Sequence, residues 1–218
     1  MERMNLLMTA FSIVLLCLSC SKDDTLRGSG NIVSESRNLA NFTQVYNPTS
    51  VNIIIMEGSP QQVKLSADDN VISSIKTIVE NGTLKIDMPK STYVDVMITV
   101  SVTIPNLEGL KNTGSGNMTS AGFDGLTSMT IDNEGSGNVL FTSSGTSLTL
   151  KNSGSGSFQG FNFMVENCTV ANSGSGNCEI NCSDRLRGTN SGSGSIFYKG
   201  TPTLDVSNTG SGEVVDSN

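Results

Sequence analysis

Six asparagines carry most of the chemistry that this chain can do: Asn112, Asn133, Asn152, Asn172, Asn190 and Asn208, each two residues before a Gly-Ser-Gly tripeptide. A carboxamide both donates and accepts, so a column of them can bond end to end. The serines of the tripeptides, Ser115, Ser136, Ser155, Ser175, Ser193 and Ser211, would line up beside that column. The chain has no histidine, so no nucleophile–imidazole pair can form. The cysteines after Cys20 are Cys168, Cys178 and Cys182, which contain no Cys-x-x-Cys pair, and a metal site is not expected. Gly-Ser-Gly-Asn resembles part of a phosphate-cradling loop but lacks the lysine and the strand-to-helix context. Calcium-binding repeats need an acid where this chain has Asn or Ser. Polysaccharide lyases built on β-helices gather acids and a base on one face. Here Asp124, Asp132, Glu134, Glu166 and Glu179 fall at unmatched repeat positions, and Asp68-Asp69, the densest acidic pair, reads as a solvated turn. No catalytic residue and no cofactor is expected, and a polysaccharide-active enzyme is the least favoured reading.

Those residues need an element to position them, and the spacing defines it. The tripeptides begin at Gly114, Gly135, Gly154, Gly174, Gly192 and Gly210, at intervals of 21, 19, 20, 18 and 18 residues. Their closing glycines are Gly116, Gly137, Gly156, Gly176, Gly194 and Gly212. Four before each tripeptide stand Leu110, Ile131, Leu150, Val170, Gly188 and Val206. Two after it come Met118, Val139, Phe158, Cys178, Ile196 and Val214. Alternation of apolar and polar residues marks a strand with one buried face, and glycines at fixed places mark positive φ or close backbone approach. A flexible linker shares the Gly-Ser composition but would not hold aliphatic residues in register. A propeller blade needs about 40 residues, twice this period. The repeat therefore predicts an all-β, single-stranded parallel β-helix with coils of about 18–21 residues, in which like side chains stack into ladders. Six coils at the ~4.8 Å strand spacing would stack to about 25–30 Å. A thin aliphatic core fits the absence of Trp and the 5% aromatic content.

Residues 1–20 read as a lipoprotein signal peptide: Arg3, an apolar run from Leu6 to Leu18, and Ser19 before Cys20. Cys20 would become the lipidated terminus, although Cys17 departs from the usual Leu and ordinary cleavage is the alternative. The following Ser-Lys-Asp-Asp resembles lipoproteins of the Bacteroidetes, in which early acidic residues accompany delivery to the surface of the outer membrane. Asp24-Thr25-Leu26 fits an O-glycosylation pattern of the same envelope proteins, and a plain polar tether is the other reading. Net charge is −7, which argues against nucleic acid and offers no basic patch to anionic lipid. Cys168 and Cys178 fall in apolar columns and read as core residues; one disulfide with a cysteine left over is the alternative.

Residues 21–36 read as a tether with a first strand at their end. Strand-like runs follow at Phe42–Tyr46, Val51–Met56 and Gln62–Ser66, then a short helical turn over Val71–Ile75. An Asn81-Gly82 turn joins Thr77–Val79 to Leu84–Met88, and a long half-buried strand runs from Tyr93 to Ile104. Residues 37–218 read as one domain, and from about Arg37 to Val215 the chain resembles the putative auto-transporter adhesin, head GIN domain family. The residues that carry the resemblance are Phe42-Thr43-Gln44-Val45, Val51-Asn52-Ile53-Ile54-Ile55, Ala67-Asp68-Asp69-Asn70, Asn81-Gly82-Thr83-Leu84-Lys85-Ile86 and Ile104-Pro105-Asn106-Leu107-Glu108-Gly109-Leu110, followed by the Gly-Ser-Gly coils. The resemblance implies a right-handed parallel β-helix and favours binding over catalysis. The expectation is a non-enzymatic envelope lipoprotein that binds a glycan or a protein, membrane-attached through Cys20 at the outer membrane and surface-exposed, with a periplasm-facing position as the alternative. Self-assembly through open coil ends is the alternative, and Glu213 and Asp216 on the last coil oppose it.

Overall fold

A computed structural model describes residues 25–218 of the chain. The signal peptide, Cys20 and the start of the tether lie outside the described residues. Nine strands precede the repeats: β1 (Thr25–Arg27), β2 (Ile32–Arg37), β3 (Gln44–Asn47), β4 (Asn52–Glu57), β5 (Gln62–Asp68), β6 (Lys76–Glu80), β7 (Thr83–Asp87), β8 (Thr92–Val94) and β9 (Ile98–Ile104). The repeats supply β10 (Gly109–Asn112), β11 (Met118–Ala121), β12 (Leu126–Asn133), β13 (Val139–Asn152), β14 (Phe158–Asn172), β15 (Cys178–Asn190), β16 (Ile196–Lys199), β17 (Thr203–Asn208) and β18 (Val214–Asp216). The helical turn is a single 3-10 turn, Ile72–Ser74.

Each coil has one strand before its Gly-Ser-Gly turn and one after it. Stacked, these make two parallel ladders. The first runs β3, β10, β12, the ends of β13, β14 and β15, then β17. The second runs β4, β11, the starts of β13, β14 and β15, then β16 and β18. The columns read from the sequence are hydrogen-bonded neighbours: Leu110, Ile131, Leu150, Val170, Gly188 and Val206 pair in turn. Met118, Val139, Phe158, Cys178, Ile196 and Val214 do the same in the second ladder. Their inward side chains form one continuous core, within which the Phe141 and Phe163 rings lie 4.6 Å apart. Cys168, Cys178 and Cys182 are buried and free, so no disulfide joins them. Burial raises the Cys168 thiol well above its ordinary value and pushes Cys178 up to about 12. Thiols held protonated in this way act as small hydrophobes.

The N-terminal half is not threaded in chain order. β3 lies between β7 and β10, and β4 lies between β9 and β11. The coil formed by β3 and β4 is thus clamped between strands that follow it in sequence. It is a disguised repeat. Val45, Asn47 and Ile53 stand in register with Leu110, Asn112 and Met118, and Pro48-Thr49-Ser50-Val51 replaces Thr-Gly-Ser-Gly. The strands β2, β5 and β6 pair antiparallel and close this end of the solenoid. β2 is the first strand expected at the end of the tether, and β1 lies within the tether itself. The long strand expected over Tyr93–Ile104 is broken: Asp95 has a φ of 52°, and β8 leaves to pair with β1.

Candidate functional site

The asparagine column faces inward. Asn112, Asn133, Asn152, Asn172 and Asn190 are fully buried, so the ladder lies inside the coil and not on a solvated side face. Each Nδ2 donates to the Oδ1 of the next: Asn112 to Asn133 at 3.3 Å, Asn133 to Asn152 at 3.1 Å, Asn152 to Asn172 at 3.2 Å, Asn172 to Asn190 at 3.1 Å and Asn190 to Asn208 at 3.2 Å. The column also satisfies backbone groups of the turn. Asn112, Asn152 and Asn208 also donate to turn carbonyls of Gly116, Gly137, Gly176 and Gly212. Asn47 stands below the column but donates to Val51 instead. Buried amides need such partners, since an unpaired one costs about 1–3 kcal/mol.

A second column lies outside, five residues further on. Asn52 accepts from the Asn117 backbone N–H, Asn117 from Asn138, Asn138 from Ser157, Ser157 from Asn177, Asn177 from Ser195 and Ser195 from Glu213. These N–H groups sit at the turn, where a side-chain oxygen of the coil below replaces a strand partner. That explains why the position holds Asn or Ser and why Glu is tolerated at the last coil.

Between the two columns the turns make a shallow groove of about 500 Å³ along the stack. Its walls are Ser136, Ser155, Ser175, Ser193 and Ser211 on one side and Ser153, Ser173 and Ser191 on the other, with Glu134 at one end. The floor is backbone, because the tripeptide glycines have no side chain. None of these glycines has a positive φ. Their role is close approach: a Cβ on Gly116, Gly137, Gly156, Gly176, Gly194 or Gly212 would fall on the carbonyl oxygen of the turn below. The same holds for Gly114, Gly135, Gly154, Gly174, Gly192 and Gly210. Gly188, the exception in an aliphatic column, has a φ of 140° and its Cβ would meet the Val170 carbonyl.

The outward face of the first ladder carries the charges. Lys111 lies 3.3 Å from Asp132 and 3.1 Å from Glu134, and Lys151 lies 3.3 Å from Glu134 and 3.8 Å from Asp132. The hydrogen bond to Glu134 holds the Lys111 ammonium above its ordinary value, and Lys111 with Lys151 holds Glu134 below the usual carboxylate range. The four charges cancel. The other acids are dispersed: Asp124 bonds Ser144, and Glu179 lies in the second ladder beside Gln159 and Phe197. The Asp68-Asp69 pair is not a solvated turn throughout. Asp68 is buried and accepts from the N–H groups of Gly30 (2.7 Å) and Met97 (2.8 Å). Asp69 bonds the Ser29 hydroxyl at 2.6 Å and Asn31 at 2.8 Å, and the Ser29 bond lowers its carboxyl. The pair ties the first strands to the body of the domain. No cluster of three or more metal-ligating residues occurs among the described residues.

The model of the putative auto-transporter adhesin, head GIN domain family matches residues 41–202. The chain belongs to this family. The head GIN fold is shared by several solved structures. A putative adhesin from Bacteroides fragilis is 21% identical, with 88% of this chain and 100% of that one covered and a TM-score of 0.72. A putative adhesin from Parabacteroides merdae is 15% identical, covering 89% and 100%, with a TM-score of 0.52. A putative lipid binding protein from Parabacteroides distasonis is 18% identical over 89% and 100%, with a TM-score of 0.56. At these identities the head GIN likeness concerns the fold. No curated protein matches the chain in sequence.

Proposed function

We propose that this chain is a non-enzymatic envelope lipoprotein, anchored through Cys20 and displayed at the cell surface, whose head GIN solenoid binds a glycan or protein outside the cell. The observation that carries the reading is the exterior. Register locks rows of hydroxyl, amide and charged side chains into columns along one rigid stack, beside an open serine-walled groove. Such a surface repeats the same weak contact at each coil, and repeated contacts on a stiff body add up by avidity. The buried asparagine column belongs to the scaffold and not to the binding face. Enzyme chemistry finds no support in the charges, which are paired or dispersed.

A second reading, stacking of copies, draws on the last coil. β17 and β18 are each paired on one side only, and Leu204 is 46% exposed there. Asp205, Glu213 and Asp216 make that end acidic, with no basic residue after Lys199, so two such ends repel.

Adherence of whole cells to immobilised glycans and matrix proteins tests the main reading. Deleting the gene is expected to lower adherence several-fold on at least one coating, and re-expression to restore it. Equal adherence of the deletion strain on every coating contradicts the reading.

A further inference from the structure

Four arginines lie among the described residues, and three of them reach a carboxylate. Arg27 pairs with Asp95, Arg37 with Glu35 at 3.3 Å, and Arg185 with Asp205 at 3.2 Å. Arg187 has no such partner, although Asp205 stands opposite it in register on β17. Arg185 takes that carboxylate diagonally. Arg187 instead turns toward the preceding coil, where its Nε donates to Thr169 Oγ1 at 3.0 Å. Its guanidinium therefore lies over a floor of polar side chains. Ser147, Asn167 and Arg185 form one column of that floor, and Thr149, Thr169 and Arg187 form the next. These six residues line a groove of about 360 Å³ on the outward face of the first ladder.

We propose that this groove binds a glycan through an anionic group, carboxylate or sulfate, with Arg187 as its principal contact. A guanidinium is a planar fork of donors that matches both anions, and this one has no internal anion to satisfy it. The surrounding hydroxyls and the Asn167 amide, repeated at the ~4.8 Å coil spacing, can exchange hydrogen bonds with the hydroxyls of flanking sugars. Arg185 can join the ligand, because its pairing with Asp205 is exposed and such pairs hold weakly. A peptide is less well served. β14 and β15 are paired on both sides here, so no strand can add to the sheet, and the apolar residues along the groove, Leu148 and Cys168, are buried and offer no anchor. The proposal rests on the binding reading above and names its ligand class.

The test is titration of the full chain with four probes of matched length: an oligogalacturonate, a sulfated galactan oligosaccharide, neutral maltohexaose and oligoglutamate. At least one anionic glycan is expected to bind about tenfold more tightly than maltohexaose, and Arg187→Gln to remove about that factor. Which of the two wins decides between carboxylate and sulfate. Arg27→Gln, at the other end of the molecule, is expected to leave binding unchanged, and both variants to melt with the wild type. Unchanged affinity in Arg187→Gln, no binding of either anionic glycan, or oligoglutamate binding as tightly as the glycans overturns the proposal. Cells that carry Arg187→Gln and adhere like wild type, while the deletion strain does not adhere, would remove this site and leave the binding reading standing.

Discussion

Replacing Gly156 with alanine is expected to destabilise the solenoid by roughly 3–5 kcal/mol, a fall in Tm of about 10 °C. The added Cβ would land on the Gly137 carbonyl oxygen of the coil below, with Asn133 Nδ2 only 3.0 Å away. Neither neighbour can give. Gly137 belongs to a turn that is itself hydrogen-bonded to the coil beneath, and Gly156 N–H is bonded to Gly135 at 3.1 Å. Overpacking against a mobile side chain usually costs about 1–3 kcal/mol, and a clash with fixed backbone costs more. Ser155, between the two glycines, points outward and is exposed. Ser155→Ala is therefore expected to stay within about 0.5 kcal/mol of wild type. Urea and thermal unfolding followed by circular dichroism measure both. Equal stability of Gly156→Ala and Ser155→Ala would contradict the close-approach role of the turn glycines.

Asn152→Leu is expected to cost roughly 2–4 kcal/mol, because it breaks the buried column at its middle. Asn133 Nδ2 would lose its acceptor and Asn172 Oδ1 its donor, both in sites that exclude water. Asn152→Asp separates the two halves of that cost. One aspartate oxygen can still accept from Asn133, but an ionised carboxylate has nothing to donate to Asn172 and carries an unpaired buried charge. Protonation supplies the missing donor. The folded-state pKa of that aspartate is thus raised above its unfolded value. The stabilisation gained is complete below the unfolded pKa of about 4 and is lost as pH rises through the folded pKa. The variant should therefore approach wild-type stability near pH 4 and fall furthest behind at pH 7. A constant deficit across that range would mean that position 152 does not act through the amide column.

The repeat half was legible because its two constraints recur. A period-two apolar pattern and glycines where coils touch repeat six times, and the pairing of Leu110 through Val206 follows the alignment residue by residue. Alternation puts Asn112 and its equivalents on the same inward face as Leu110 and its equivalents, two residues earlier, and it was residue type that hid this. A polar residue is normally read as outward, and the amide-to-amide bonds together with bonds to turn carbonyls make Asn stable inside. The coil of β3 and β4 was hidden because it lacks both glycines. No Gly-Ser-Gly turn is stacked beneath it, so Thr49 and Val51 can stand where repeats require glycine. One signal survived: Asn47 and Asn52 have the spacing of Asn112 and Asn117. The insertion of that coil between later strands had no sequence signature, since pairing partners are set by long-range packing. The unpaired state of Arg187 was likewise invisible, because it depends on which arginine captures Asp205.

Protease shaving of intact cells carrying a C-terminally tagged chain, with a periplasmic protein as control, tests the central claim most directly. Loss of the tag while the control survives is the predicted result, and it would put the solenoid and its outward columns outside the cell. Survival of the tag until the outer membrane is opened would contradict display at the surface and, with it, binding to an external glycan.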